Sequence, residues 1–131
     1  MVDESEIFLQ KAVESLAGAE SEFANGRYNN CANRCYYACF QAAIQALVRV
    51  GIQPGPDEWA HAFVQARFAG DLISRRKLFP ANLRDVLARN LFLREMADYK
   101  QASVSGVQAL RAVRRTREFA GAVRAKGGEA R

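Results

Sequence analysis

The sequence predicts an all-α protein, an up-and-down antiparallel bundle of four to five helices, and three observations carry that expectation. Apolar residues recur at helical spacing along most of the chain. No stretch of useful length alternates as a strand does, and only three prolines interrupt the 131 residues. Half of the residues are hydrophobic and a quarter are charged, the balance of a chain that buries a core. At this length roughly two-thirds of the unfolded surface can be buried, enough for one domain without disulfide or metal staples. Residues 1–126 are therefore expected to form a single domain, with 127–131 as a frayed tail.

The first helix is expected from about Asp3 to Ala24. Asp3 with Glu6 three residues on suggests a capping box, the stripe is Phe8/Leu9, Ala12/Val13, Leu16, Ala19 and Phe23, and Asn25-Gly26 supplies a left-handed stop. A second helix spans about Tyr28 to Val50 and ends at Gly51. Ala32, Cys35/Tyr36, Cys39, Ala43, Ala46/Leu47 and Val50 form one face, and Tyr37, Phe40, Ile44 and Leu47 an adjoining one. A stripe that broad belongs to a central helix with two or three neighbours.

After the loop Ile52-Gln53-Pro54-Gly55-Pro56, Asp57 is a candidate N-cap for a short third helix reaching about Ala69, where Gly70 breaks it. Asp71 to Phe79 reads as an irregular connection that carries the basic cluster Arg75-Arg76-Lys77. Pro80 suits the first turn of a fourth helix, whose stripe Leu83, Val86/Leu87, Asn90/Leu91, Arg94, Ala97/Asp98 is apolar early and polar late. A fifth helix runs from about Ser103 to Ala125 on Val107, Leu110, Val113 and Phe119/Ala120.

The net charge of +5 conceals a polarity. Residues 1–22 hold six acids against Lys11, and residues 111–131 hold seven bases against Glu118 and Glu129. Two readings stay open: solvated faces with the end helices neutralising each other, or a stripe that binds polyanions. Fifteen arginines against four lysines favour groups that fork onto phosphate or carboxylate. No run is long and apolar enough for a membrane span, and the acidic start Asp3-Glu4-Ser5-Glu6 is unlike a signal peptide, so a cytoplasmic location is expected.

Cys31, Cys35 and Cys39 fall on one helical face. They lack the paired doublets of a zinc site, although His61, the single histidine, could in principle add a ligand. They read as small buried residues, and neither a metal nor a cofactor is expected. The chemistry that remains is polar residues on faces that ought to be apolar. Asn33, Arg34 and Tyr37 lie early in the second helix, and Arg94, Asp98 and Tyr99 late in the fourth, with Arg94 and Asp98 one turn apart. Such groups either tie the bundle together or line a cleft.

The run from Gly26 through Arg27, Tyr28, Ala32, Asn33, Arg34, Tyr36, Tyr37, Ala38 and Phe40 to Ala43 resembles the GRYxxAxNRxYYAxFxAA signature of the HEPN domain. A loop before His61, Phe68 at the following distance, and Arg94-Glu95-Met96-Ala97-Asp98-Tyr99, similar to an RxxADY element, agree in order and spacing. The resemblance covers about residues 5–120. It implies a small helical bundle that usually dimerises, a link to nucleotide or RNA binding, and in many members a nucleotidyltransferase partner in a toxin–antitoxin pair. Active members are metal-independent ribonucleases with an arginine followed, after four to six residues, by a histidine. Here Arg94 matches the arginine, but positions 99, 100 and 101 are Tyr99, Lys100 and Gln101. Cleavage through a 2′-hydroxyl needs a proton acceptor titrating near neutrality, which tyrosine is not.

The expectation is accordingly a non-catalytic module, a homodimer binding a nucleotide, RNA or a nucleotidyltransferase through a polar cleft of Asn33, Arg34, Tyr37, His61, Arg94, Asp98 and Tyr99. The alternatives are a ribonuclease with an atypical site centred on Arg94, and a purely structural adaptor subunit.

Overall fold

A computed structural model describes residues 3–55 and 58–129, with side chains through Lys126. Five helices account for most of them: α1 (Glu4–Ala24), α2 (Tyr28–Arg49), α3 (His61–Arg67), α4 (Val86–Tyr99) and α5 (Gly106–Glu129). The bundle is all-α, as the periodicity requires.

Asp3 caps α1 by accepting a hydrogen bond from the Glu6 amide at 3.0 Å, so one otherwise unpaired first-turn donor is satisfied. Gly26 and Gly51 take positive φ after α1 and α2, the left-handed turn that lets each helix stop. The expected third helix is corrected on both sides. It starts at His61, since residues 58–60 are not helical; the N-cap expected at Asp57 lies outside the described residues. Gly70 does not break it either. The chain loosens at Phe68 into a π-helix that continues to Arg75, held by Asp71 pairing with Arg67 at 2.5 Å and Arg75 at 3.4 Å, and by Phe68, Leu72 and Ile73 in the core. Burying those three side chains is worth roughly 1.5–3 kcal/mol each, more than one exposed glycine costs in a helix.

Pro80 precedes a single 3₁₀ turn, Ala81–Leu83, and α4 proper begins only at Val86. Similarly, α5 starts three residues later than expected and passes the expected end at Ala125.

The central role expected for α2 holds. It packs against α1, α4 and α5 along its length and against α3 near Tyr36 and Phe40. Two stripes are rotated from the expected positions. On α1 the most buried residues are Ser5, Ala12, Ser15 and Ala19, while Val13 is exposed. On α5 they are Ala109, Ala112, Val113, Thr116, Phe119 and Val123, with Val107 exposed. The reason is the small surface of α2. Cys31, Ala32, Cys35, Ala38, Cys39, Ala42 and Ala43 are all fully buried, and the neighbours turn their own small residues toward it so that the backbones approach closely. The three thiols are therefore packing groups, and burial pushes Cys39 up to about 12.

Larger side chains fill one end of the bundle, where Tyr36, Ile44, Leu47, Val64, Phe68, Leu72 and Phe119 meet. Of the charge complement between the end helices, one pair is Arg117 with Glu20, Nε to Oε2 at 2.6 Å. Among the described residues no helix is long and apolar enough to cross a membrane.

Candidate functional site

Six of the seven residues singled out from the sequence meet on the face where α2, α3 and α4 converge. The polar chain begins at Arg34, whose Nη2 and Nε donate to Asn33 Oδ1 at 2.7 and 3.2 Å. Asn33 Nδ2 donates in turn to Asp98 Oδ2 at 3.2 Å, joining α2 to the end of α4. Asp98 faces Arg94 Nε at 3.6 Å, one helical turn back. That is ion-pair distance but too long for a hydrogen bond, so Arg94 Nε is buried without one. Arg94 Nη1 donates to the Tyr37 hydroxyl at 3.0 Å.

The Arg94 side chain is only 13% exposed. Its guanidinium lies 5.4 Å from the Tyr36 ring centroid and 5.5 Å from that of Tyr37, and Arg34 covers Tyr37 at 5.3 Å. Two arginines therefore hold one tyrosine ring between α2 and α4, with attraction of the ring quadrupole added to burial.

The chain ends at His61, and the residue that brings it there is Tyr36. The Tyr36 hydroxyl and His61 Nδ1 share a hydrogen bond, and the imidazole packs against Tyr36 and Phe40 with centroids 5.3 and 4.9 Å away. His61 is the first residue of α3 and is exposed along its other edge. Burial of the packed edge, and then the Arg94 guanidinium, lower its pKa below 6.5. The ring is thus neutral near pH 7. Burial likewise pushes the Tyr36 hydroxyl up to about 12, so it stays protonated.

The sequence places Tyr36 on an apolar face, and by burial that is correct, since it is fully buried. What that reading misses is that a buried tyrosine hydroxyl needs a partner. That need was the available signal that a polar residue from elsewhere must arrive at Tyr36. Tyr99 is the expected site residue that the structure leaves outside the network. It is 73% exposed.

The structure thus gathers arginines, tyrosines and one histidine on one face of a small helical bundle. The HEPN domain model matches residues 5–126, nearly the whole chain. The chain belongs to the HEPN domain family, whose members are often nucleases or otherwise nucleotide-related and often dimerise. No curated protein matches it significantly.

Proposed function

We propose that this chain is a HEPN module that binds a nucleotide or RNA at the α2–α3–α4 face, as a dimer and without a catalytic step of its own. The observation that carries the reading is a connected set of groups. Hydrogen bonds run from Arg34 through Asn33 to Asp98, and an ion pair joins Asp98 to Arg94. Arg94 donates to the Tyr37 hydroxyl, and its guanidinium lies over the Tyr36 ring whose hydroxyl meets His61. A bundle needing only stability gains more from apolar side chains at such positions than from partly buried charges. Arg34 suits phosphate oxygens, Arg94 fixes the Tyr37 ring that Arg34 covers, and the exposed ring of Tyr99 suits a base. In this reading the Tyr36 hydroxyl donates to His61 Nδ1. The neutral imidazole then carries its proton on Nε2 and offers it outward to a phosphate oxygen.

Titration with nucleotides and short RNAs tests this. Binding is expected at low salt, weakening with added salt and on Arg94→Ala, with the RNA left intact. No binding of any such ligand at low salt ends the reading, and a monomer by light scattering at micromolar concentration removes the dimer from it. A nucleotidyltransferase partner, which the family resemblance implies, is tested separately by co-purification.

A second reading, ribonuclease, is favoured by the proximity of His61 to Arg94 through Tyr36, which returns an arginine and a histidine to one site. It needs the opposite tautomer, with Nδ1–H donating to Tyr36 and the Nε2 lone pair free to accept a proton from a 2′-hydroxyl. Nitrogen NMR of the ring separates the two, because a proton on Nε2 supports binding and a proton on Nδ1 supports catalysis. Metal-free cleavage of labelled RNA that disappears in both His61→Gln and Arg94→Ala would reverse the ranking.

A further inference from the structure

The opposite side of α4 carries a second group of arginines with a different electrostatic character. α4 and α5 meet only sparsely, and between them lies an open groove of about 470 Å³ lined by Asp85, Arg89, Phe92, Gln108, Arg111 and Arg115. Arg89 and Arg111 are exposed and, among the described residues, have no carboxylate within ion-pair distance. Arg115 is anchored from beneath, its Nε donating to Asn90 Oδ1 at 2.7 Å. Asn90 is fully buried and spends its amide on Thr116 Oγ1 at 3.0 Å and Cys39 Sγ at 3.2 Å. A buried amide therefore fixes one edge of the Arg115 guanidinium and leaves its terminal nitrogens without a partner among the described residues. Burial and the neighbouring Arg89 lower the pKa of Arg115, as expected where like charges are held together without a counterion.

Three arginines against Asp85 alone make a site of net positive charge, and guanidinium forks match phosphate geometry. Phe92 stands beside them with 65% of its surface exposed, which leaves its ring open for a base to stack on. The volume suits one small organic ligand. We infer that this groove takes a nucleotide unit, its phosphate among Arg89, Arg111 and Arg115 and its base against Phe92. The site lies apart from the Arg94 face and does not depend on the reading given for it. A free nucleotide and a single-stranded RNA present the same chemistry here, since aromatic stacking and arginine–phosphate contacts serve both.

Calorimetric titration of the full chain at low salt, with pyrophosphate, ADP and a tetra-adenylate as probes, tests the inference. ADP is expected to bind, more tightly than pyrophosphate. The double variant Arg89→Ala/Arg111→Ala, both exposed positions, should lose at least tenfold in ADP affinity while keeping its melting temperature. Phe92→Ala should lower the affinity for ADP severalfold and leave pyrophosphate unchanged. Tetra-adenylate binding tenfold tighter than ADP identifies the source as RNA, whereas the reverse order identifies a free nucleotide. The inference is overturned if no probe binds at millimolar concentration, or if the double variant binds as the parent does. It is equally overturned if the chain is a dimer that Phe92→Ala splits, because a second copy is then the occupant of the groove.

Discussion

The two sides of α4 put arginine to opposite uses. Toward α2 and α3, Arg94 is nearly buried, lies against two tyrosine rings and faces Asp98. Toward α5, Arg89 and Arg111 stand in solvent beside the anchored Arg115 with one carboxylate among the lining residues. A guanidinium that is desolvated and paired ties helices together, and its removal strands its partners. One left unpaired contributes little to folding and keeps its hydrogen-bonding capacity for something else.

The sharpest way to break this contrast is at the residue beneath the groove. Asn90→Leu should destabilise the chain by about 2–4 kcal/mol in urea unfolding, because Thr116 and Arg115 lose their buried partner. A loss below 0.5 kcal/mol, on the order of a surface change, would show that Arg115 does not rely on this anchor. Next in size is Arg94→Ala, expected to cost about 1–2 kcal/mol by removing the Tyr37 hydrogen bond and the cation over two rings. Arg94→Met, which keeps the stem, should recover part of that loss.

Tyr36→Phe should cost about 1 kcal/mol and release His61. The pH dependence follows from the direction of the His61 shift. Its folded-state pKa lies below 6.5, so between that value and 6.5 the unfolded chain binds more protons. The contribution is fully present above pH 6.5 and is lost as pH falls through the folded-state value. Melting temperatures measured from pH 7.5 down to 5 should therefore fall less steeply in His61→Gln than in the parent. The smallest expected effect is that of Arg89→Ala without ligand, within about 0.5 kcal/mol and in the stabilising direction, since it relieves repulsion on Arg115. A loss as large as that of Arg94→Ala would erase the distinction between the two sides.

Much of the fold was legible because local signals and packing agree. Asp3 with Glu6, Asn25-Gly26 and Gly51 mark real ends, and the run of alanines and cysteines in α2 is the buried spine. The third helix was less legible. Gly70 is a local signal to stop, and it is overridden by Phe68, Leu72 and Ile73 packing beyond it. The rotations of α1 and α5 were hidden for a related reason: apolar spacing gives weight to Val13 and Val107, while the close approach to α2 turns Ala12, Ala19, Ala109 and Ala112 inward and leaves those two valines exposed.

The candidate site divides the same way. Arg94 with Asp98 is a one-turn pair readable from spacing alone, and Asn33, Arg34 and Tyr37 are marked by polar character on an apolar face. Their joining to each other and to His61 passes through Tyr36, whose ring reads as core and whose hydroxyl has no sequence-local partner.

By itself the sequence determined the helices, the central place of α2, the buried thiols and the absence of a histidine after Arg94. Only the tertiary structure decided that His61 returns to Arg94 through Tyr36, and that Arg89, Arg111 and Arg115 share a groove. Helical periodicity fixes which residues share a face of one helix. It does not fix which neighbouring face they meet, because that is set by close packing of all the helices at once.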